Sequence, residues 1–104
     1  MYGVLYRWKI KPGFEDQFLH AWEVGTRAIA REHGGLGSRM HRGQDGCFYA
    51  YAQWPDQATF DKAFAQRMHH SEHEAARLYH DAIEEDGFEV IFHGEVLSDL
   101  LKDG

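Results

Sequence analysis

Residues 4–10 alternate strictly, with Val4, Tyr6, Trp8 and Ile10 on one side and Leu5, Arg7 and Lys9 on the other. Side chains along a strand take opposite faces with a period of two, so this segment predicts a half-buried β-strand. Pro12-Gly13 stops it, because proline brings no N–H to a ladder and glycine permits the turn. The spacing then changes to threes and fours. Phe14, Phe18, Trp22, Gly25 and Ile29, flanked by Ala21 and Ala28, form the stripe of an amphipathic helix. Glu15 and Asp16 near its start and Arg27 and Arg31 near its end suit the helix dipole, and His33-Gly34-Gly35 closes it.

Residues 36–42 alternate weakly as a second strand, and Gly43-Gln44-Asp45-Gly46 reads as a hairpin loop. Residues 47–54, CFYAYAQW, form a third strand rich in aromatics. Asp56 is placed to cap a helix from residue 57 to about residue 67, with Phe60, Ala63, Phe64 and Met68 inward. Ser71-Glu72-His73-Glu74 has the form of a capping box, in which Ser71 and Glu74 satisfy each other's backbone donors. It opens a helix to about residue 85, with Ala75, Ala76, Tyr79, Ala82 and Ile83 inward. Asp86-Gly87 breaks that helix, and residues 88–97 are the fourth strand.

The order is βαββαβ, with the second helix broken near His69. This is the α+β, ferredoxin-like arrangement of an antiparallel sheet with helices on one face, spanning residues 1–104 as one domain. Tyr49 and Tyr51 lie on one side of the third strand and Phe48, Ala50 and Ala52 on the other, so neither side suits water. A bare aromatic sheet face is an association surface. A second copy packed sheet against sheet, as a two-fold homodimer, would cover it.

Composition narrows the function. Hydrophobic residues make up 43% of the chain, enough for a core, and aromatics make up 14%, which favours a pocket or an interface. The net charge of −6 disfavours nucleic acid as a partner. No apolar run approaches the roughly 20 residues of a membrane span, so no membrane partner is expected. Arg7, Lys9 and Lys11 interrupt the N-terminal segment, which therefore does not read as a signal peptide. The single Cys47 has no internal disulfide partner and reads as a buried, inert thiol. These features together point to a cytoplasmic protein. Dinucleotide-binding, P-loop, Cys-x-x-Cys and nucleophile-elbow motifs do not occur.

Eight histidines stand out, four of them close together at His69, His70, His73 and His80. His69 and His73 are four apart and His73 and His80 seven apart, a spacing that metal sites use. A new helix starting at Ser71 would take His69 and His70 out of that register, so surface histidines are the preferred reading and no metal is expected. His73 differs, because it runs with Ala76, His80 and Ile83 along the edge of the apolar stripe. A histidine at the rim of a buried face is suited to act as a base near neutral pH.

YRWKIKPGFEDQFLHAW, the glycine-bounded second strand and CFYAYAQWPDQATFDKAF resemble the antibiotic biosynthesis monooxygenase domain family, of the dimeric α/β-barrel superfamily. The shared features are Lys11-Pro12-Gly13 closing the first strand and Gln53-Trp54 closing the third. The resemblance, covering roughly residues 2–97, implies a dimeric α/β barrel with a cleft between sheet and helices. It also implies one of several activities, among them cofactor-free quinone-forming oxygenases and haem-degrading oxygenases. In the haem-degrading branch an Asn, a Trp and a His line the haem. Here Tyr6 stands at the first position, Ala63 at the second, and only His73 keeps the third.

The cofactor-free branch implies a monooxygenase that deprotonates a phenolic or quinol-like aromatic, stabilises its anion and excludes water. No cofactor is then expected. His73 is the candidate base, and Tyr6 and Trp54 are the other candidate catalytic residues. Tyr51, Trp8 and Arg39 are candidate substrate-binding residues; Tyr6, Trp54 and Tyr51 would serve as donors to the anion or as ring-stacking walls, and Arg39 as a counter-charge. The alternatives are a non-catalytic ligand-binding or stress-response protein on the same fold and, less favoured, a haem-binding or haem-degrading oxygenase.

Overall fold

A computed structural model describes residues 1–101. The elements run β1 (Tyr2–Ile10), α1 (Glu15–His33), β2 (Gly37–Arg42), β3 (Phe48–Trp54), α2 (Gln57–Ala65), α3 (His73–Ala82) and β4 (Ile83–Glu95). The strands form one sheet in the order β2-β3-β1-β4, with every neighbouring pair antiparallel. The α+β, ferredoxin-like fold expected from the sequence is therefore present.

β1, the most strictly alternating segment, lies between β3 and β4. Tyr6 sits opposite Ala50 on one side and Val90 on the other. The period of two decides what is buried. Tyr2, Val4, Tyr6 and Trp8 of β1, with Phe48, Ala50, Ala52 and Trp54 of β3, lie under the helices. Phe18 of α1, fully buried, packs among Trp8, Phe48 and Tyr79. Burying such a side chain contributes about 1.5–3 kcal/mol. Gly34 ends α1 in the left-handed conformation, at φ 81°. The Asp56 carboxylate accepts the Thr59 N–H at 2.8 Å as the N-cap of α2.

Three local expectations are corrected. Ser71 forms no capping box; the Ser71 N–H and hydroxyl donate to the Glu32 carboxylate on α1, at 3.0 and 2.6 Å. That long-range bond takes the hydroxyl a local box needs, and α3 starts after Glu72 with no side-chain cap. α2 stops at Ala65, short of residue 67, as Arg67 and Met68 turn to positive φ. α3 stops at Ala82, because Ile83 pairs with Ile10 and the Ala82 carbonyl accepts the Lys11 N–H at 2.9 Å. β4 thus starts five residues early and passes through Gly87. A Cβ there would stand 2.7 Å from the Glu84 carbonyl oxygen and 2.9 Å from that of Lys9, so only glycine fits.

Among the described residues no helix covers the other face of the sheet. Leu5, Arg7, Tyr49 and Tyr51 are half-buried there, and Phe92, opposite Leu5 on β4, is 57% exposed. Arg7 pairs with Glu89 at 2.7 Å, and Asp45 accepts the Tyr49 hydroxyl at 2.6 Å. Cys47 is buried just before β3, its sulfur 3.6 Å from Arg7 Nη2. Among the described residues no helix is long and apolar enough to cross a membrane.

Candidate active site

Between the helix-bearing face of the sheet and the helices lies a cavity of about 1120 Å³. β1, β3 and β4 supply its inner wall through Tyr6, Trp8, Trp54 and Phe88. α1 contributes Trp22, Gly25 and Ile29, and α3 contributes Tyr79. The mouth is set by the segment joining α2 to α3 and by one edge of α3. Arg67, His69, His70, His73 and His80 stand there.

Two polar atoms in this apolar wall lack a well-formed bond. Among the described residues neither the buried Tyr6 hydroxyl nor the buried Trp54 Nε1–H makes a hydrogen bond of good geometry, although the two lie close enough for the indole N–H to act on the tyrosine oxygen. Leaving a buried polar group unpaired costs about 1–3 kcal/mol. The ring of Tyr6 is held by Phe88, stacked 5.9 Å away, and by Trp8 at 5.7 Å. Burial pushes the Tyr6 pKa up to about 12; the nearby Trp54 N–H pulls it down somewhat, and Tyr79 adds to the rise. Trp8 is satisfied, because its Nε1–H donates to the Tyr79 hydroxyl at 2.6 Å. Burial also pushes Tyr79 up to about 12, opposed by that bond from Trp8.

The histidines of the mouth differ from one another. His70 Nδ1 accepts the Glu72 N–H at 3.1 Å, which leaves Nε2 to carry the proton of the neutral ring. Burial lowers its pKa against the pull of Glu32 and Glu72. Gly25 makes room for this ring: a Cβ on Gly25 would sit 3.2 Å from His70 Nε2. His73, in the first turn of α3, is exposed at the rim. Among the described residues no three His, Cys, Asp or Glu side chains gather as metal ligands do.

Of the six residues singled out from the sequence, Tyr6, Trp8, Trp54 and His73 line this one cavity. Tyr51 and Arg39 do not. They pair with each other across β2 and β3, and Tyr51 pairs with Leu5, on the far face of the sheet. The reason is parity: Tyr51 and Trp54 are three apart on one strand and so point to opposite sides. Tyr79 and His70 were missed as site residues. Tyr79 was legible as an inward position of α3, but only its contact with Trp8, 71 positions earlier, marks it out.

The model of the antibiotic biosynthesis monooxygenase family matches residues 1–84. SnoaB, a cofactor-independent oxygenase from Streptomyces nogalater solved as the N63A mutant, superposes with a TM-score of 0.68 at 17% identity, over 97% of each chain. Another antibiotic biosynthesis monooxygenase matches with a TM-score of 0.64 at 22% identity, over 94% of this chain and 100% of its own. NE2512 from Nitrosomonas europaea, a protein of unknown function, matches with a TM-score of 0.67 at 16% identity, over 99% and 95%. At these identities the structural likeness speaks for the fold. No curated protein matches the chain in sequence.

Proposed function

The chain belongs to the antibiotic biosynthesis monooxygenase family, and from that premise we propose that it is a cofactor-independent monooxygenase of a phenolic or quinol-like aromatic. The observation that carries the reading is the pair of polar atoms without a well-formed hydrogen bond, Tyr6 Oη and Trp54 Nε1, in the wall of an apolar cavity. A ring bearing one ionisable oxygen supplies what that wall lacks: aromatic surface for Phe88 and Trp22, and an acceptor for two donors. Donors held in a dry wall stabilise an anion far better than donors in water.

The chemistry needs no added reductant. Triplet oxygen reacts poorly with closed-shell organics, but a phenolate can pass it an electron. A phenol with a free para position and one O₂ give a para-quinone and one water. One oxygen atom becomes the second carbonyl; the other leaves as water with the single para hydrogen and one proton, which balances the hydroxyl proton that the phenol gives up. His73 takes the phenolic proton at the rim and passes it to solvent. Tyr6 and Trp54 donate to the developing anion, and Trp8 belongs to the wall that excludes water.

The protein acts as a homodimer closed through its bare sheet face. Leu5, Tyr51 and Phe92 supply the apolar surface, and Arg39 lies at the same face, paired across the strands with Tyr51. The test is oxygen uptake by the purified, chelator-treated protein over a panel of monocyclic and polycyclic phenols. At least one should give one quinone per O₂, and His73→Ala should lower the rate about a hundred-fold or more. Uptake no faster than the chemical background across the whole panel refutes the reading. In that case, saturable aromatic binding without turnover would favour a ligand-binding role.

A further inference from the structure

Tyr79 lines the cavity with a hydroxyl whose oxygen already accepts a hydrogen bond. Trp8 Nε1–H donates to it at 2.6 Å, with the two rings at 86°. An indole N–H only donates, so in this bond the tyrosine oxygen is the acceptor and its own O–H remains to be given. That O–H donates to none of the described residues. Both rings are fixed. Trp8 is 3% exposed and packs 5.4 Å from Phe18, and Tyr79 stacks on Phe18 at 5.5 Å and 28°.

We propose that Tyr79 donates a hydrogen bond to the anionic oxygen of the substrate and that Trp8 is the positioning residue that aims it. The inference rests on the phenolic reading above and deepens it. A hydroxyl that already accepts an N–H is polarised into a stronger donor. Burial keeps it protonated, with a pKa of about 12, so it remains a donor throughout the range in which phenols ionise. Trp8 thereby changes role, from a ring wall to the group that fixes the direction of another residue's proton.

The experiment uses 4-nitrophenol, whose ionised form is coloured, with nitrobenzene as the probe that lacks the hydroxyl. Wild-type protein should bind 4-nitrophenolate more tightly than nitrobenzene and lower the pKa of the bound phenol. Tyr79→Phe should weaken 4-nitrophenolate binding by about ten-fold or more, the value of one hydrogen bond to a charged group. It should raise the bound pKa while leaving nitrobenzene affinity within about two-fold. Trp8→Phe should move the bound pKa the same way in wild-type protein and have no further effect in the Tyr79→Phe background. If Trp8→Phe does not fold, benzothienylalanine at position 8 keeps the ring, removes the N–H and gives the same readout.

Unchanged 4-nitrophenolate binding in Tyr79→Phe overturns the role of Tyr79 alone. An equal effect of the Trp8 change with and without the Tyr79 hydroxyl overturns the aiming role. Wild-type protein that shows no preference for phenolate over nitrobenzene overturns the phenolic reading itself.

Discussion

Replacing Tyr6 by Phe should make the ligand-free protein more stable while it impairs the site. Tyr6 is 7% exposed, and its hydroxyl makes no hydrogen bond of good geometry. Such a group costs about 1–3 kcal/mol of folding free energy. Phenylalanine keeps the ring against Phe88 and Trp8 and removes only the oxygen. Part of the gain is returned through the small void left behind, so a net stabilisation of about 1 kcal/mol is expected. In a domain of this size that raises Tm by about 4 °C. The same change removes one donor from the proposed anion site, so phenolate affinity should fall about ten-fold. Thermal and urea unfolding of the two proteins, side by side with a phenolate titration, reads both effects. A Tyr6→Phe protein that melts several degrees lower would mean that the hydroxyl is satisfied in the folded protein. Unchanged phenolate affinity would mean that it does not face the ligand. Either result refutes the reasoning.

Further outcomes follow from the same geometry. Tyr6 and Tyr79 ionise near 12 when folded and near 10 when unfolded, so their contribution to stability is complete below pH 10 and lost as pH rises from 10 to 12. Urea midpoints measured across that window should fall in wild-type protein and fall less steeply in Tyr79→Phe; a flat profile would contradict the burial argument. Tyr51→Glu places a charge on the bare sheet face, away from the cavity, and should convert dimer to monomer in light scattering at micromolar concentration. A wild-type protein that is already monomeric there would remove the basis for the dimer.

The parts of the fold set by short periods could be read from the chain. The strands read at residues 4–10 and 47–54 match β1 and β3 to within two residues, and the change to spacings of three and four gives α1. The parity of β3 was equally visible and already separates Tyr51 from Trp54, since residues three apart on a strand cannot share a face. Tyr51 therefore belongs to the far face by its own phase, and Arg39, its partner across the strands, goes with it. Ser71 illustrates a limit of local pattern: the S-x-x-E pattern is present, but Glu32, 39 positions away, captures the hydroxyl. Ile83 illustrates another, because helical periodicity continued to residue 85 while pairing with Ile10 drew the segment into the sheet. The site divided in the same way. Tyr6, Trp8 and Trp54 followed from strand phase, and His73 from the edge of the α3 stripe. The bond between Trp8 and Tyr79 joins the first strand to the third helix and has no local signature.

The most direct measurement is a crystal structure of the protein with a bound naphthol. The phenolic oxygen is expected within about 3 Å of both Tyr6 Oη and Trp54 Nε1, with its ring against Phe88. A naphthol lying on the far face of the sheet, or held in the cavity with its oxygen turned to the mouth and away from both atoms, would contradict the assignment of this wall as the anion site.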